Sequence, residues 1–219
     1  TGVRGLEFSY ELAFVPTDSP EVQLTSSNYP GELGFDIRHP EEAHHRAPPW
    51  GRYALGAARA LKPELPGEPN GVRGRVEGNL PGGGLSSSAS VILSYLLAFA
   101  EVNELDVTEA DLVRWALWTE RDFVGVSVGI LDPASIVGAR RDHLLAIDTR
   151  NSRWEPLAVG RTATDYRILV VFTGIERNLA GTGYNQRVAE CFSAARKLAV
   201  LTGRRDAEVL GDFEGSELD

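Results

Sequence analysis

Methionine is absent from all 219 residues, and cysteine occurs once, at Cys191. A lone thiol excludes an intrachain disulfide and suits a reducing compartment. With no initiator, the natural chain is expected to start upstream of Thr1, with an amino-terminal piece missing. Long apolar runs are lacking too. The densest, Val91 to Ala100, falls far short of the roughly 20 residues needed to cross a bilayer. The opening Thr1-Gly-Val-Arg-Gly5 carries no charged-then-apolar leader. Positive charge is scarce, with 22 basic against 31 acidic residues and a formal charge of −9. That balance argues against a nucleic-acid partner, whose phosphates are neutralised by Lys and Arg. The expectation is a soluble cytoplasmic protein with a small-molecule substrate, no nucleic acid and no membrane; oligomeric state has no signature here. Apolar residues at 42% suffice for one substantial core or two small domains.

Hydrophobic periodicity sets the elements. Leu6 to Val15 alternates Leu6, Phe8, Tyr10, Leu12 and Phe14 with polar residues, the period of a half-buried strand. Val22 to Thr25 and Leu33 to Ile37 repeat it at hairpin spacing. His39 to Pro49 is a proline-rich loop. Trp50 to Leu61 has helical spacing, and Val72 to Val76 is a short strand. Ser87 to Glu101 is apolar nearly all round, which predicts a buried helix. Thr108, with Asp111 three residues on, starts another helix expected to run to Phe123. His143 to Asp148 and Tyr166 to Phe172 read as strands, and Thr182 to Val200 as a helix.

Two segments carry chemistry. Pro81-Gly82-Gly83-Gly84-Leu85-Ser86-Ser87-Ser88-Ala89-Ser90 leads from a strand into the buried helix. Glycines let several backbone N–H groups point at one place, and the helix start adds unsatisfied donors and the positive dipole end. Together these suit a polyphosphate, with serine hydroxyls available to a phosphate-bound magnesium ion. The plainer alternative is a flexible glycine turn followed by a serine N-cap. No Gly-Lys-Ser/Thr follows, so it is not a Walker A loop, and G-x-G-x-x-G does not fit.

The second segment holds Glu120 and Asp132 in TERDFVGVSVGILDP. Glu120 falls in the last turn of its helix, where the dipole disfavours an anion, so it is either solvated or has a cation partner. Asp132 is either a functional carboxylate or an N-cap with Pro133 at the first helical position.

LPGGGLSSSAS, TERDFVGVSVGILD and GTGYNQRVAEC, in that order, resemble the galactokinase branch of the GHMP kinase superfamily over nearly the whole chain. Val22-Gln-Leu24, Trp50-Gly-x-Tyr53-Ala and Tyr184-Asn-x-Arg187 look closest to galacturonokinases within it. The resemblance implies an α+β, two-domain arrangement. Residues 1–140 would be an ATP-binding domain of the ribosomal-protein-S5 type lacking its first motif. Residues 141–219 would be the start of a truncated carboxy-terminal α/β domain. It implies an ATP- and Mg2+-dependent sugar 1-kinase acting on galactose or galacturonic acid. Gly82, Gly83, Gly84, Leu85, Ser86, Ser87 and Ser88 would hold ATP phosphates. Ser88 and Glu120 would be magnesium ligands and Asp132 the catalytic carboxylate at the C1 hydroxyl. Gly129, Asp132 and Tyr184 would line the sugar site.

Three departures accompany the resemblance. The family's sugar-gripping first motif and its carboxy-terminal glycine-rich motif are both missing. Pro133 stands where the family has Gln, and proline is expected to hold residue 132 extended. Two alternative functions remain: a non-catalytic sugar and nucleotide sensor on the same scaffold, and another GHMP activity of the mevalonate-kinase kind. His39, His44 and His45 read as a solvent loop rather than a metal site. Cys191 reads as a small buried residue, and Arg140, Arg141, Arg150 and Arg153 read as a solvated face rather than a carboxylate clamp.

Overall fold

The computed structural model describes residues 9–79, 85–158, 169, 171, 183–213 and 215. The chain forms two compact units, residues 1–176 and 177–219. The architecture is α+β, as the resemblance implied.

In the first unit, β1 (Tyr10–Pro16), β2 (Glu21–Ser26) and β3 (Glu32–Asp36) are followed by α1 (Gly51–Leu61) and β4 (Val72–Gly78). The sheet order is β1-β4-β2-β3; β4 runs antiparallel to β1 and parallel to β2, and β2 and β3 form the hairpin. The β2–β4 connection contains α1, as parallel neighbours need a crossover. Register places Val22 opposite Phe35 and Leu24 opposite Leu33, all buried. Tyr10, Leu12 and Phe14 are half-buried against the same core, whereas Glu11 and Ala13 are exposed. The alternation of two thus fixes which sheet face meets the helices.

Covering that face is α2 (Ser87–Val102), with Ile92, Tyr95, Leu96 and Phe99 fully buried. Phe99 meets Phe35 edge-on at 6.5 Å between centroids and stacks on Tyr95 at 6.4 Å. Ala54, Ala57 and Ala58 of α1 carry small side chains and are also fully buried.

The end of β4 is pinned from both sides. Asn28 Nδ2 donates to the Gly78 carbonyl and its Oδ1 accepts from Gly78 N–H, each at 2.8 Å. Asn79 Oδ1 accepts from Ser9 N–H at 2.8 Å, and Asn79 N–H donates to the Ser9 carbonyl. The point from which the glycine segment departs is therefore fixed by four hydrogen bonds.

After α2 come α3 (Glu109–Trp118) and a π-helical turn (Thr119–Val124), then α4 (Leu131–Gly138). A hairpin of β5 (His143–Asp148) and β6 (Arg153–Ala158) completes the described part of this unit. The Thr108–Asp111 capping box forms as expected, with Thr108 Oγ1 accepting from Asp111 N–H. The single helix expected to Phe123 ends instead at Trp118, where the ladder widens. Strand β6 escaped the periodicity because Arg153, Glu155 and Pro156 interrupt its apolar residues.

In the second unit, α5 (Tyr184–Thr202) stops at Gly203, whose φ of 75° lies in the left-handed region. Its Ala195 packs with Ala207 and Phe213. Cys191 is exposed rather than buried, a correction to its apolar reading. It stands one turn before the small cluster around Ala195, which does not reach it. Most of the Tyr166–Phe172 strand expectation, and Leu6–Phe8, lie outside the described residues. Among the described residues no helix is long and apolar enough to cross a membrane.

Candidate active site

The start of α2 is built for exposure of its amides. Ser86 occupies the N-cap with φ 57° and ψ 33°, and its side chain makes no capping bond. A serine thus stands at the N-cap, as the plainer reading had it, but without the capping hydrogen bond. A left-handed non-glycine residue costs of order 1 kcal/mol, and such residues gather at functional sites. The first-turn N–H groups lack a side-chain cap and carry the positive dipole end. Leu85, Ser86, Ser87 and Ser88 are half-buried here, while Gly82, Gly83 and Gly84 lie outside the described residues.

Ser88 faces inward and its Oγ donates to Glu120 Oε1 at 2.6 Å, joining positions 32 residues apart. Glu120 is 3% exposed, and its other oxygen, Oε2, is buried with no hydrogen-bond partner. Of the two options for a carboxylate at a helix end, solvation is thus ruled out. Burial pushes its carboxyl above the usual carboxylate range; the Ser88 hydrogen bond opposes this, and the nearby Asp132 charge adds to it.

Local backbone explains the inward aim. In the π turn the Glu120 carbonyl accepts from Gly125 N–H and from Val126 N–H, the latter at 2.8 Å. Gly125 adopts φ 86°, a conformation that costs glycine nothing. Single π turns of this kind recur at functional sites. Thr119, fully buried beside Glu120, leaves its Oγ1 without a partner. Thr119→Val removes that stranded hydroxyl while keeping the branched shape. It should stabilise the protein by about 1 kcal/mol, read as a higher denaturation midpoint.

From Val126 the chain alternates buried Val126, Val128 and Ile130 with exposed Ser127 and Gly129. Arg121 Nε donates to the Val128 carbonyl at 2.6 Å and ties this stretch to the π turn. It then enters α4 with Ile130 as N-cap, Leu131 first, Asp132 second and Pro133 third. Two expectations are corrected here. Asp132 is not the N-cap, and Pro133 does not hold it extended. The third helical residue has no intrahelical acceptor for its N–H, so proline loses nothing there. The Ser135 hydroxyl donates to the Leu131 carbonyl and ties this first turn together. Asp132 is half-buried and close enough to raise Glu120 electrostatically.

Ser88, Glu120 and Asp132 are therefore brought to one region of the first unit. Tyr184 lies in the second unit, exposed at the first residue of α5. Among the other candidates, His44 rests edge-on against Phe123, with ring centroids 5.3 Å apart, and against His45. Arg140 is occupied by Glu109, to which its guanidinium donates. The sequence reading did not place Tyr53 at this site. Burial raises its phenol, and Glu120 raises it further, which sets α1 beside the buried carboxylate. Arg52 Nε, also buried, has no partner. Nothing in the spacing of α1 could have announced either.

The donor set suits magnesium. Mg2+ takes hard oxygen ligands, keeps near-octahedral geometry, and is bound by one or two carboxylates together with substrate phosphates. Glu120 Oε2 is a buried carboxyl oxygen without a partner, next to a hydroxyl in the first turn of α2. Among the described residues there is no cluster of three or more His, Cys, Asp or Glu, as a transition-metal cage would require.

Residues 52–139 match the family described as GHMP kinases N terminal domain. The galacturonokinase of Arabidopsis thaliana is 33% identical over 214 residues, covering 90% of this chain and 50% of the relative. A galactokinase from Limosilactobacillus fermentum is 34% identical over 208 residues, covering 92% and 51%. The structure of Lactococcus lactis galactokinase complexed with galactose aligns with a TM-score of 0.84 at 28% identity. It covers 97% of this chain and 54% of that one. A mevalonate kinase shares the fold, with a TM-score of 0.56 at 16% identity, covering 71% and 48%. The chain spans about half the length of the curated relatives it matches.

Proposed function

We propose that this chain, which belongs to the GHMP kinase superfamily, carries the nucleotide and catalytic half of an ATP-dependent sugar 1-kinase. Galactose or galacturonic acid is the acceptor in this reading. Residues 1–140 serve as the ATP-binding domain, and the β5–β6 hairpin that follows belongs to the same compact unit. The observation that carries the reading is the buried Ser88–Glu120 pair, with its unpartnered carboxylate oxygen, at the uncapped start of α2. Asp132 stands nearby. The likeness to galacturonokinase and galactokinases supports it.

Phosphoryl transfer asks a protein mainly for positioning and charge stabilisation. The backbone amides of Gly82 to Ser88 hold the ATP phosphates. Ser88 and Glu120 hold the magnesium ion, which when bound neutralises charge on the phosphate oxygens. Asp132 receives or orients the proton of the C1 hydroxyl as that oxygen bonds to the γ-phosphorus and the bridging bond to ADP breaks. Gly129 lines the sugar site.

The test is ADP release by the complete protein with a panel of monosaccharides that includes galactose, galacturonic acid and mevalonate as an off-class control. Turnover with a hexose or hexuronic acid and none with mevalonate is expected. Calorimetric sugar binding with no ADP release would overturn the reading in favour of a sensor.

A further inference from the structure

Glycine in the middle of a buried helix is unfavourable unless something needs the missing side chain. In α1, Ala54, Ala57 and Ala58 are fully buried with their methyl groups accommodated. Gly56 is different. A Cβ there would stand 2.6 Å from Thr119 Cγ2 and 3.2 and 3.3 Å from the Phe123 ring. Thr119 and Phe123 belong to the π turn that holds Glu120. Thr119 is fully buried and β-branched, so its χ1 has little freedom to yield. Displacing it moves the peptide that leads into Glu120, whereas Ser88 stays with α2. The 2.6 Å Ser88–Glu120 bond spans those two elements and registers any shift between them. Tyr53, one turn earlier on α1, is the residue whose phenol feels Glu120, so this face of α1 addresses the buried carboxylate.

We infer that Gly56 is a positioning residue for the metal-holding carboxylate: its bare α-carbon lets the π turn close on α1 and sets Glu120 against Ser88. This rests on the reading of Ser88 and Glu120 as magnesium ligands.

The experiment measures Mn2+ binding to the complete protein with the non-hydrolysable analogue AMP-PNP, through the electron paramagnetic resonance signal of free Mn2+. Gly56→Ala should weaken binding about tenfold, the size typical of residues that orient a ligand from behind. Gly56→Ala/Thr119→Ser, which deletes the opposing Cγ2 methyl, should bring the constant back to within about twofold of wild type. Wild-type Mn2+ binding by folded Gly56→Ala overturns the inference. If Gly56→Ala does not fold, the double variant decides. Folding with near-wild-type binding supports the steric contact; binding still weakened, or failure to fold, overturns it. Glu120→Gln and Ser88→Ala are measured alongside. If neither weakens Mn2+ binding, the metal reading itself falls, whatever Gly56 does. If they weaken it and Gly56→Ala does not, only the role of Gly56 falls.

Discussion

Asp132→Asn should lower turnover by about 10²–10⁴-fold, the usual contribution of a positioned general base, while KM for ATP and sugar shifts only a few-fold. The substitution keeps size and shape at the second residue of α4. It removes the group able to take the C1 proton, and it weakens a favourable contact with the helix dipole by only about 0.3–1 kcal/mol. Denaturation midpoints should therefore stay close to wild type, which separates lost chemistry from lost fold. A second effect follows from the neighbouring charge. Asp132 is one of the groups that push Glu120 upward. Its neutralisation should let Glu120 ionise at lower pH, so that Mn2+–AMP-PNP binding persists further into acid. Undiminished turnover would remove Asp132 from the reaction. Lost turnover without the shift in the pH profile of metal binding would separate the two carboxylates.

The parts of this site that depend on residue type were legible in the sequence, and the parts that depend on tertiary approach were not. The helix at α2 was visible because Val91 to Ala100 is apolar nearly all round, which favours burial, although Leu97 stays 49% exposed. The capping box at Thr108 was visible because both partners sit within four residues. Ser88 and Glu120 stood out individually, but their contact crosses 32 positions. The local spacing predicted an unbroken helix to Phe123, since a π turn keeps the helical pattern and differs only by one widened step. The turn packs against Gly56 of α1, and at its end the Glu120 carbonyl accepts from both Gly125 and Val126. Pro133 misled for the opposite reason. A residue-pair rule favoured extension at Asp132, but Pro133 is the third residue of α4, where its missing N–H costs no hydrogen bond. Tyr53 figured only in the Trp50-Gly-x-Tyr53-Ala resemblance and carried no sign of its place beside Glu120, because one aromatic on a helix face looks the same whether it meets solvent or a carboxylate.

Glu120→Gln should act in opposite directions with and without metal. In EDTA, wild-type protein carries a buried carboxyl with one oxygen unpartnered. Its folded-state affinity for a proton exceeds that of the unfolded chain, because burial raises the carboxyl. This group's contribution to stability is therefore fully present below the ordinary carboxylate range, near 4.5, and is lost as pH rises through its higher folded value. Gln keeps an oxygen for the Ser88 hydroxyl and introduces no charge. The metal-free variant should be more stable than wild type at pH 7–8 by on the order of 1–2 kcal/mol, and the difference should vanish on acidification. With Mg2+ and AMP-PNP the order reverses. A ligand at a hundred times its dissociation constant stabilises the native state by about 2.7 kcal/mol, and wild type should gain this while the variant gains little. Denaturant titrations at two pH values, with EDTA or with Mg2+–AMP-PNP, read both effects. Should Glu120→Gln destabilise the metal-free protein at pH 8, the carboxylate would be holding the fold together. A buried anion that costs stability until a cation arrives is what a ligand requires, and that result would deny it.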